Sequence, residues 1–481
     1  MIGERDFTAS DQLRFAAVSG DFNPVHLDPV FARRTMFGQP IVHGIHLVLW
    51  ALDRCAAAGH SLAGASALSV KFLKPLFLDE TVVLTMTRDG ARMVLDCVSD
   101  EARLCRIELT LSESRGCARA ACAVGAVSGE WSRIPADPAI ETIVTLHGDI
   151  EKRFDLDALT DLCPAAAASL GPQRLASLLA LTRIVGMECP GLNSLFAGLS
   201  VAFDAGDTGS SVNWKVAKVS SKISFVRIAV EGGGLAGTLD CFVRPGPLRP
   251  VAPARLAELA QPDAFAGERA LVIGGSRGLG EAAARLLAAG GAEIVLTYRV
   301  GRREADAVAA AIKESGGRAR SIELDVSAPG AAIAFLAKAG WSPSQIYYFA
   351  TPHIFVRKKH AFEEKLLQSY LKCYVVDFVN IALLCRARLA EKFALFYPST
   401  IAINEPLRDL GEYVAAKSAG EGVCSWLPKA VDGVTVVMER LKRLQTDQTA
   451  MLMDVPAGDP LDAMAEICRR MTAASRALIS Q

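Results

Sequence analysis

The apolar runs of this chain change their spacing once, near residue 267, and no single sheet accommodates both spacings. Before that point, short segments of strand type follow one another directly: ALSVKFL from residue 67, then TVVLTMTRDG, ARMVLDCVSD and ARLCRIELTL, all behind an apolar helical stretch, Ile41 to Ala58. Hairpins after a buried helix predict an antiparallel sheet wrapped on that helix. The order recurs as an apolar stretch from Arg174 to Met187 followed by LFAGLSVAFD, SVNWKVAKV, KISFVRIAVEGGG and LAGTLDCFV. The echo is literal, because ALSVKF at 67–72 returns 131 residues later as GLSVAF at 198–203. A shared element order on both sides of a six-residue match favours duplication over chance.

Beyond residue 267 the runs RALVIGG, EIVLTYR, ARSIELDV, QIYYFAT, FALFYPST and GVTVVME alternate with helical stretches, which is how a buried parallel sheet reads. A stretch rich in proline and alanine, PGPLRPVAPARLAELAQPDAFAGE, reads as a linker between the two regimes, and Pro460 to Ile479 as a closing helix. At 481 residues two or three domains are expected. The pattern divides the chain into 1–125, 126–247, a linker 248–266, and 267–481.

Charge narrows the partners. Fifty-two basic residues balance 52 acidic ones, so neither nucleic acid nor a membrane surface is an expected partner. Twelve cysteines without a CxxC pair, and only seven histidines, suggest neither a disulfide framework nor a metal site. Reduced thiols and a cytoplasmic location are expected. The N-terminus MIGERDFTASDQ has no apolar signal region, and the most apolar stretch, 41–52, is interrupted by His43 and His46, so no membrane span is read.

Two clusters carry chemistry. In FAAVSGDFNPVHLDPVFA, Asp21, Asn23 and His26 fall within one short segment before the long helix. A carboxylate and an imidazole in apolar surroundings share a water, one orienting it while the other exchanges its proton. On spacing alone, Asp, Asn and Pro are equally turn and cap residues with a histidine that satisfies them. The segment SGDFNPVHLDP, continuing through FGQPIVHGIHL, resembles the MaoC-like (R)-specific enoyl-CoA hydratases over roughly residues 8 to 112. The resemblance implies a hot-dog fold in which Asp21 and His26 are the catalytic dyad that adds water to a trans-2-enoyl thioester, or removes it. It further implies that Asn23 helps to hold Asp21, and that the Gly44 backbone N–H faces the thioester oxygen from a helix start. His43 and His46 are read as packing or hydrogen-bonding residues. Leu52 departs from members that carry a hydroxyl there. The second helix-plus-sheet unit has no histidine between His147 and His353, so it cannot repeat the dyad, and it resembles the inactive half of double hot-dog hydratases.

The second cluster opens with LVIGGSRGLGEAAARLL, where a first strand turns into a helix. Gly274, Ser276, Arg277, Gly278, Leu279 and Gly280 form a loop that lets backbone and a helix N-terminus approach a pyrophosphate. Later, Tyr413 and Lys417 stand one helical turn apart in YVAAK, with Ser399 and Thr400 upstream at a strand end. An ammonium on the same face depresses a phenol pKa, making it a usable proton donor. Together GGSRGLG and YVAAK resemble the short-chain dehydrogenase/reductase family, over roughly residues 268 to 450. The resemblance implies that Tyr413 protonates a carbonyl oxygen, that Lys417 also grips the nicotinamide ribose, and that Asp325 and Val326 form the adenine-side pair. Arg299 and Arg277 favour a 2′-phosphate and hence NADPH. FATP stands in place of the family's NNAG, Ile273 replaces a customary threonine, and Tyr374 takes the place of the helix asparagine. Thirteen-residue spacing favours Thr400, and the family's residue preference favours Ser399.

The expected architecture is therefore an α+β double hot-dog followed by an α/β Rossmann-type, doubly wound parallel sheet. The expected function is NADPH-dependent reduction of a 3-oxoacyl thioester to the 3-hydroxy form and dehydration to the trans-2-enoyl form, on coenzyme A or an acyl-carrier protein. Self-association through the long helices of the reductase half is a further expectation. Two rivals stand beside it: the same sites run in reverse for breakdown, and a hydratase whose reductase-like half binds nucleotide without catalysis.

Overall fold

In a computed structural model, the two halves of the first 246 residues are joined along one pair of strands. The structure describes residues 1–112, 131–204, 209–246, 253–354, 361–449 and 456–480. The first half contributes β1 (Gly3–Asp6), β2 (Ala65–Phe72), β3 (Thr81–Asp89), β4 (Arg92–Ser99) and β5 (Ala102–Leu111). The second contributes β6 (His147–Glu151), β7 (Ser194–Phe203), β8 (Ser211–Ser220), β9 (Phe225–Gly232) and β10 (Leu235–Val243). All ten form one sheet in the order β1-β3-β4-β5-β2-β7-β10-β9-β8-β6. Each half thus uses the same internal order, read outward from the β2–β7 seam.

The register at that seam carries the duplication. β2 and β7 run antiparallel with Ser69 opposite Ser200, Leu68 opposite Val201 and Val70 opposite Leu199. The echoed hexapeptides therefore pair with each other, centred on equivalent serines. Gly198 on β7 is required by this closeness, since a Cβ there would lie 2.6 Å from the Val70 carbonyl oxygen.

Each half lays a helix on its part of the sheet. The helix Gly44–Ala57 is apolar nearly all round and buries Ile45 and every residue from Leu47 to Leu52. It starts later than the apolar run at Ile41, because Ile41 bridges Phe77 and the Val42 N–H bonds the Leu76 carbonyl. In the second half the helix Pro172–Arg183 continues as a π-turn, Ile184–Glu188. One core runs through both halves, from Phe7 to Cys241. Residues 1–246 accordingly form a single compact unit in which the two halves share that core. The expected boundaries at 125/126 and 247/248 lie outside the described residues.

The second unit holds β11 (Arg269–Ile273), β12 (Glu293–Tyr298), β13 (Arg318–Glu323), β14 (Gln345–Tyr348), β15 (Phe393–Thr400) and β16 (Val434–Leu441). They form a parallel sheet in the order β13-β12-β11-β14-β15-β16, with the reversal of winding between β11 and β14. The closing helix is Pro460–Ile479. The linker reading is corrected here. Pro253–Leu259 is a helix, and Ala260 and Phe265 are buried in this unit's core, where Phe265 fills the space a Cβ on Gly290 would need. Alanine and leucine at helical spacing outweighed the flanking prolines. Among the described residues no helix is long and apolar enough to cross a membrane. The ten described cysteines are buried thiols.

Substituting Gly198→Ala forces backbone apart at the seam. It is expected to destabilise the first unit by roughly 1–3 kcal/mol, read as an earlier midpoint in its denaturation curve.

Candidate functional site

The helix Ala9–Ser19 ends at Gly20, whose left-handed φ of 70° turns the chain inward and buries Asp21. Asn23 then caps the short helix Pro24–Leu27, its Oδ1 accepting from the Val25 N–H at 3.1 Å, and that single turn presents His26. Nδ1 of His26 lies 2.8 Å from the Ile41 carbonyl oxygen. A carbonyl only accepts, so the proton sits on Nδ1 and Nε2 keeps its lone pair.

His43, the residue before the helix Gly44–Ala57, stacks on His26 with ring centroids 3.8 Å apart. Its Nε2 donates to the Asp21 carbonyl oxygen at 3.1 Å, and its Nδ1 lies 2.9 Å from the Gln12 carboxamide. Ligand-type atoms of Asp21, His26 and His43 all fall within 4.8 Å of one another. Both nitrogens of His43 are engaged, one by Gln12 and one by the Asp21 backbone. Asp21 and His43 are buried, and His26 is half-buried with its ring against that of His43.

The Asp21 carboxylate is held from two sides. Oδ1 accepts from the Asn23 backbone N–H at 3.2 Å, and Oδ2 from the Thr182 hydroxyl at 2.7 Å. Asn23 thus touches the Asp21 carboxylate with its backbone N–H. Its side-chain amide instead donates to the carbonyls of Gly186 and Gly191, each at 3.0 Å. Thr182, Arg183, Gly186 and Gln12 went unread in the sequence; the one available signal was the polar pair Thr182–Arg183 inside an apolar helix.

Burial raises the Asp21 pKa, opposed by nearby His26, by the Thr182 and Asn23 hydrogen bonds and by Arg183. Burial likewise pushes His26, His43 and His46 down to about 3, so all three are neutral in the fold. Gly44 is the first residue of its helix, where a backbone N–H has no partner within the helix. A Cβ there would lie 2.9 Å from the Phe72 ring.

In the second unit the loop after β11 bends through Gly274 and Gly278, at φ of 80° and 58°. A Cβ on Gly280 would lie 2.3 Å from the Gly274 carbonyl oxygen, whereas one on Gly278 would meet nothing within 4 Å. The loop is thus closely packed on one side and open on the other, just before the helix Gly278–Ala289. Ser276 is buried in this loop and Leu279 packs on the core. Arg299 is exposed just past β12. Asp325 accepts from the Ser327 N–H and hydroxyl at 2.9 and 2.8 Å, which, with Arg299 nearby, holds its carboxyl below the usual range. Val326 packs on the core beside it. Arg277 is paired with Asp447 at 3.6 Å, so it is less available to a phosphate than the sequence suggested.

Tyr413 and Lys417 share one face of the helix Gly411–Ala430. The Lys417 ammonium donates to the Pro398 carbonyl oxygen at 2.6 Å and lies 3.9 Å from the Tyr374 ring centroid and 4.8 Å from that of Tyr397. Burial pushes Lys417 down to about 7 and Tyr413 up to about 12. The expected lowering of the phenol is therefore corrected: removal of Tyr413 from water raises it. A hydrogen bond with the Thr400 side chain works in the lowering direction on Tyr413. Ser399 instead donates to Glu421 at 2.5 Å. Adjacent strand residues point to opposite faces, so only one of the two hydroxyls can serve. Tyr374 lies 2.5 Å from the Thr351 hydroxyl.

Residues 3–104 match the family model described as a MaoC like domain, and residues 268–346 that of short chain dehydrogenase. The (R)-specific enoyl-CoA hydratase of Aeromonas caviae is 41% identical over 80 residues, 16% of this chain and 58% of that protein. An uncharacterized oxidoreductase of Methylorubrum extorquens is 32% identical over 165 residues, 32% of this chain and 62% of that one. Among solved structures, a short chain dehydrogenase from Burkholderia cenocepacia in complex with NADP is 25% identical, with a TM-score of 0.39, covering 42% of this chain and 90% of that one. The chain spans less than two thirds of the length of these curated relatives.

His46 has no hydrogen-bond partner on either ring nitrogen among the described residues and lies between Phe7 and Phe15. With a folded pKa of about 3 against an ordinary 6.5, it stays neutral when folded but binds a proton when unfolded. Stability is therefore lost as pH falls from 6.5 towards 3. Each such histidine steepens that loss by about 1.4 kcal/mol per pH unit. His46→Phe is expected to flatten the slope by one proton, measured by denaturant unfolding across this range.

Proposed function

We propose, from a chain whose N-terminal region is MaoC-like and whose later region is that of a short-chain dehydrogenase, that it is a bifunctional acyl-thioester enzyme. It reduces a 3-oxoacyl thioester to the 3-hydroxyacyl form with NADPH and reversibly dehydrates that product to the trans-2-enoyl form. The observation that carries the first activity is the approach of the Asp21 carboxylate and the His26 ring within 4.8 Å, beside a ring whose Nδ1 is held by the Ile41 carbonyl oxygen. The paired helix-plus-sheet halves are read as a double hot-dog, with chemistry in the first half alone.

In the hydration direction, His26 Nε2 accepts a proton from a water whose other hydrogen is held by the Asp21 carboxylate. The water oxygen bonds to C3 of the enoyl group, and the proton passes on to C2, so the elements of water are added without residue. The Gly44 N–H, at a helix start, is placed to stabilise charge on the thioester oxygen.

In the reductase half, the open space before Gly278 and the close packing behind Gly280 fit a pyrophosphate. Bound NADPH supplies the hydride. Tyr413 donates its phenolic proton to the carbonyl oxygen, Thr400 rather than Ser399 holds that oxygen, and Lys417 sits beneath Tyr413 to bind the nicotinamide ribose. Arg299 is the residue that favours the 2′-phosphate. The reverse reading, breakdown with NAD, draws support from the pairing of Arg277 with Asp447, which leaves one guanidinium instead of two.

The test is an assay of the full chain on short 2-enoyl-CoA and 3-oxoacyl-CoA with each nicotinamide cofactor. Asp21→Asn and His26→Ala are expected to lose about 10²–10⁴-fold in hydration while reduction persists. Tyr413→Phe is expected to do the opposite. Turnover with NADH and NAD alone would turn the assignment to breakdown. Unchanged reduction in Tyr413→Phe would remove the catalytic role of that half.

A further inference from the structure

We infer that the second half of the first unit, which has no dyad of its own, positions the carboxylate of the first: Thr182, backed by Gly186, is a positioning residue that sets where Asp21 points. This rests on the reading of Asp21 and His26 as the hydrating pair. Four consecutive residues of the loop are tied to the second half. Gly20 accepts at its carbonyl from Arg183 Nη1 at 2.6 Å, and Asp21 Oδ2 accepts from the Thr182 hydroxyl at 2.7 Å. The Phe22 N–H donates to Met187 Sδ at 3.2 Å, and the Asn23 amide donates to the Gly186 and Gly191 carbonyls.

The place where these bonds converge is the junction of the helix Pro172–Arg183 with the π-turn Ile184–Glu188. Single π-turns within helices are rare and occur frequently at functional sites. At Gly186 a Cβ would lie 2.3 Å from Asp21 Oδ1 and 2.6 Å from Oδ2, so glycine is demanded by space against the carboxylate. Thr182 is itself buried, and its hydroxyl is a donor that favours the ionised carboxylate. The charged or titratable groups around Asp21 are His26, His43 on its carbonyl, and Arg183, whose Nη2 lies 3.2 Å from Glu188 and whose guanidinium lies over the Trp131 ring. A fold-only role predicts lost stability; a positioning role predicts lost turnover in folded protein and a moved acid limb.

The experiment compares crotonyl-CoA hydration by the full chain across pH in wild type, Thr182→Val, Thr182→Ser, Gly186→Ala and Asp21→Asn, with unfolding midpoints measured in parallel. Thr182→Val is expected to lower kcat about 10–100-fold with KM close to wild type, because a hydrogen bond to a charged group is lost. Its acid limb is expected to move to higher pH, because the carboxylate has lost a donor, and Thr182→Ser is expected to restore both. Wild-type kcat and acid limb in folded Thr182→Val, beside an inactive Asp21→Asn, would overturn the inference alone. An active Asp21→Asn would instead overturn the hydratase reading. Should Thr182→Val not fold, Gly186→Ala decides in the same way: lost turnover with an intact fold supports the inference, and unchanged turnover ends it.

Discussion

Backbone pairing between β2 and β7 is the constraint on which the first unit depends. Two copies of one helix-plus-sheet pattern each leave a strand edge, and an unpaired edge is costly to leave open. Joining those edges in antiparallel register, serine to serine, makes one sheet and one core of both halves. The seam has a further consequence at a distance from itself. It fixes the second half's helix beside the first half's loop, so that residues more than 150 apart in the chain meet at one carboxylate.

Burial then dictates what must surround that carboxylate. A charge removed from water has to find donors or give up its ionised form. Asp21 finds a hydroxyl, a backbone N–H and a guanidinium nearby, while the neighbouring histidines stay neutral. The same removal from water thus acts in opposite senses on the two groups, raising the carboxyl and lowering the imidazole, because each time it disfavours the charged form. In the second unit the same desolvation acts on Lys417, whose ammonium is held among tyrosine faces and one carbonyl oxygen instead of a carboxylate.

Much of this was legible in the residues. All six strands of the parallel sheet and the hairpins of both antiparallel halves follow from apolar runs of four to ten residues between turn signals. The edge strands β1 and β6 were not read, because GERD and HGDIE are short and polar, as edges are. The helix Pro253–Leu259 was hidden by prolines on either side of a helical spacing. Ser399 and Thr400 could not be separated by spacing, since the choice depends on which face of β15 meets Tyr413.

What the sequence determined by itself is the set of local elements and the candidate groups: a carboxylate and an imidazole in one short segment, a glycine loop after a strand, a tyrosine and lysine on one helical face. Those are short-range facts, governed by the 3.6- and 2-residue periods and by the freedom of glycine. The tertiary structure alone decided that residues 1–246 are one unit, that Arg277 is engaged by Asp447, and that Thr182, Gly186 and Arg183 close around Asp21. The reason is physical: hydrogen bonds and excluded volume act over a few ångströms in space, and nothing in a local pattern states which distant residues the packing of two sheets and helices will bring within that range.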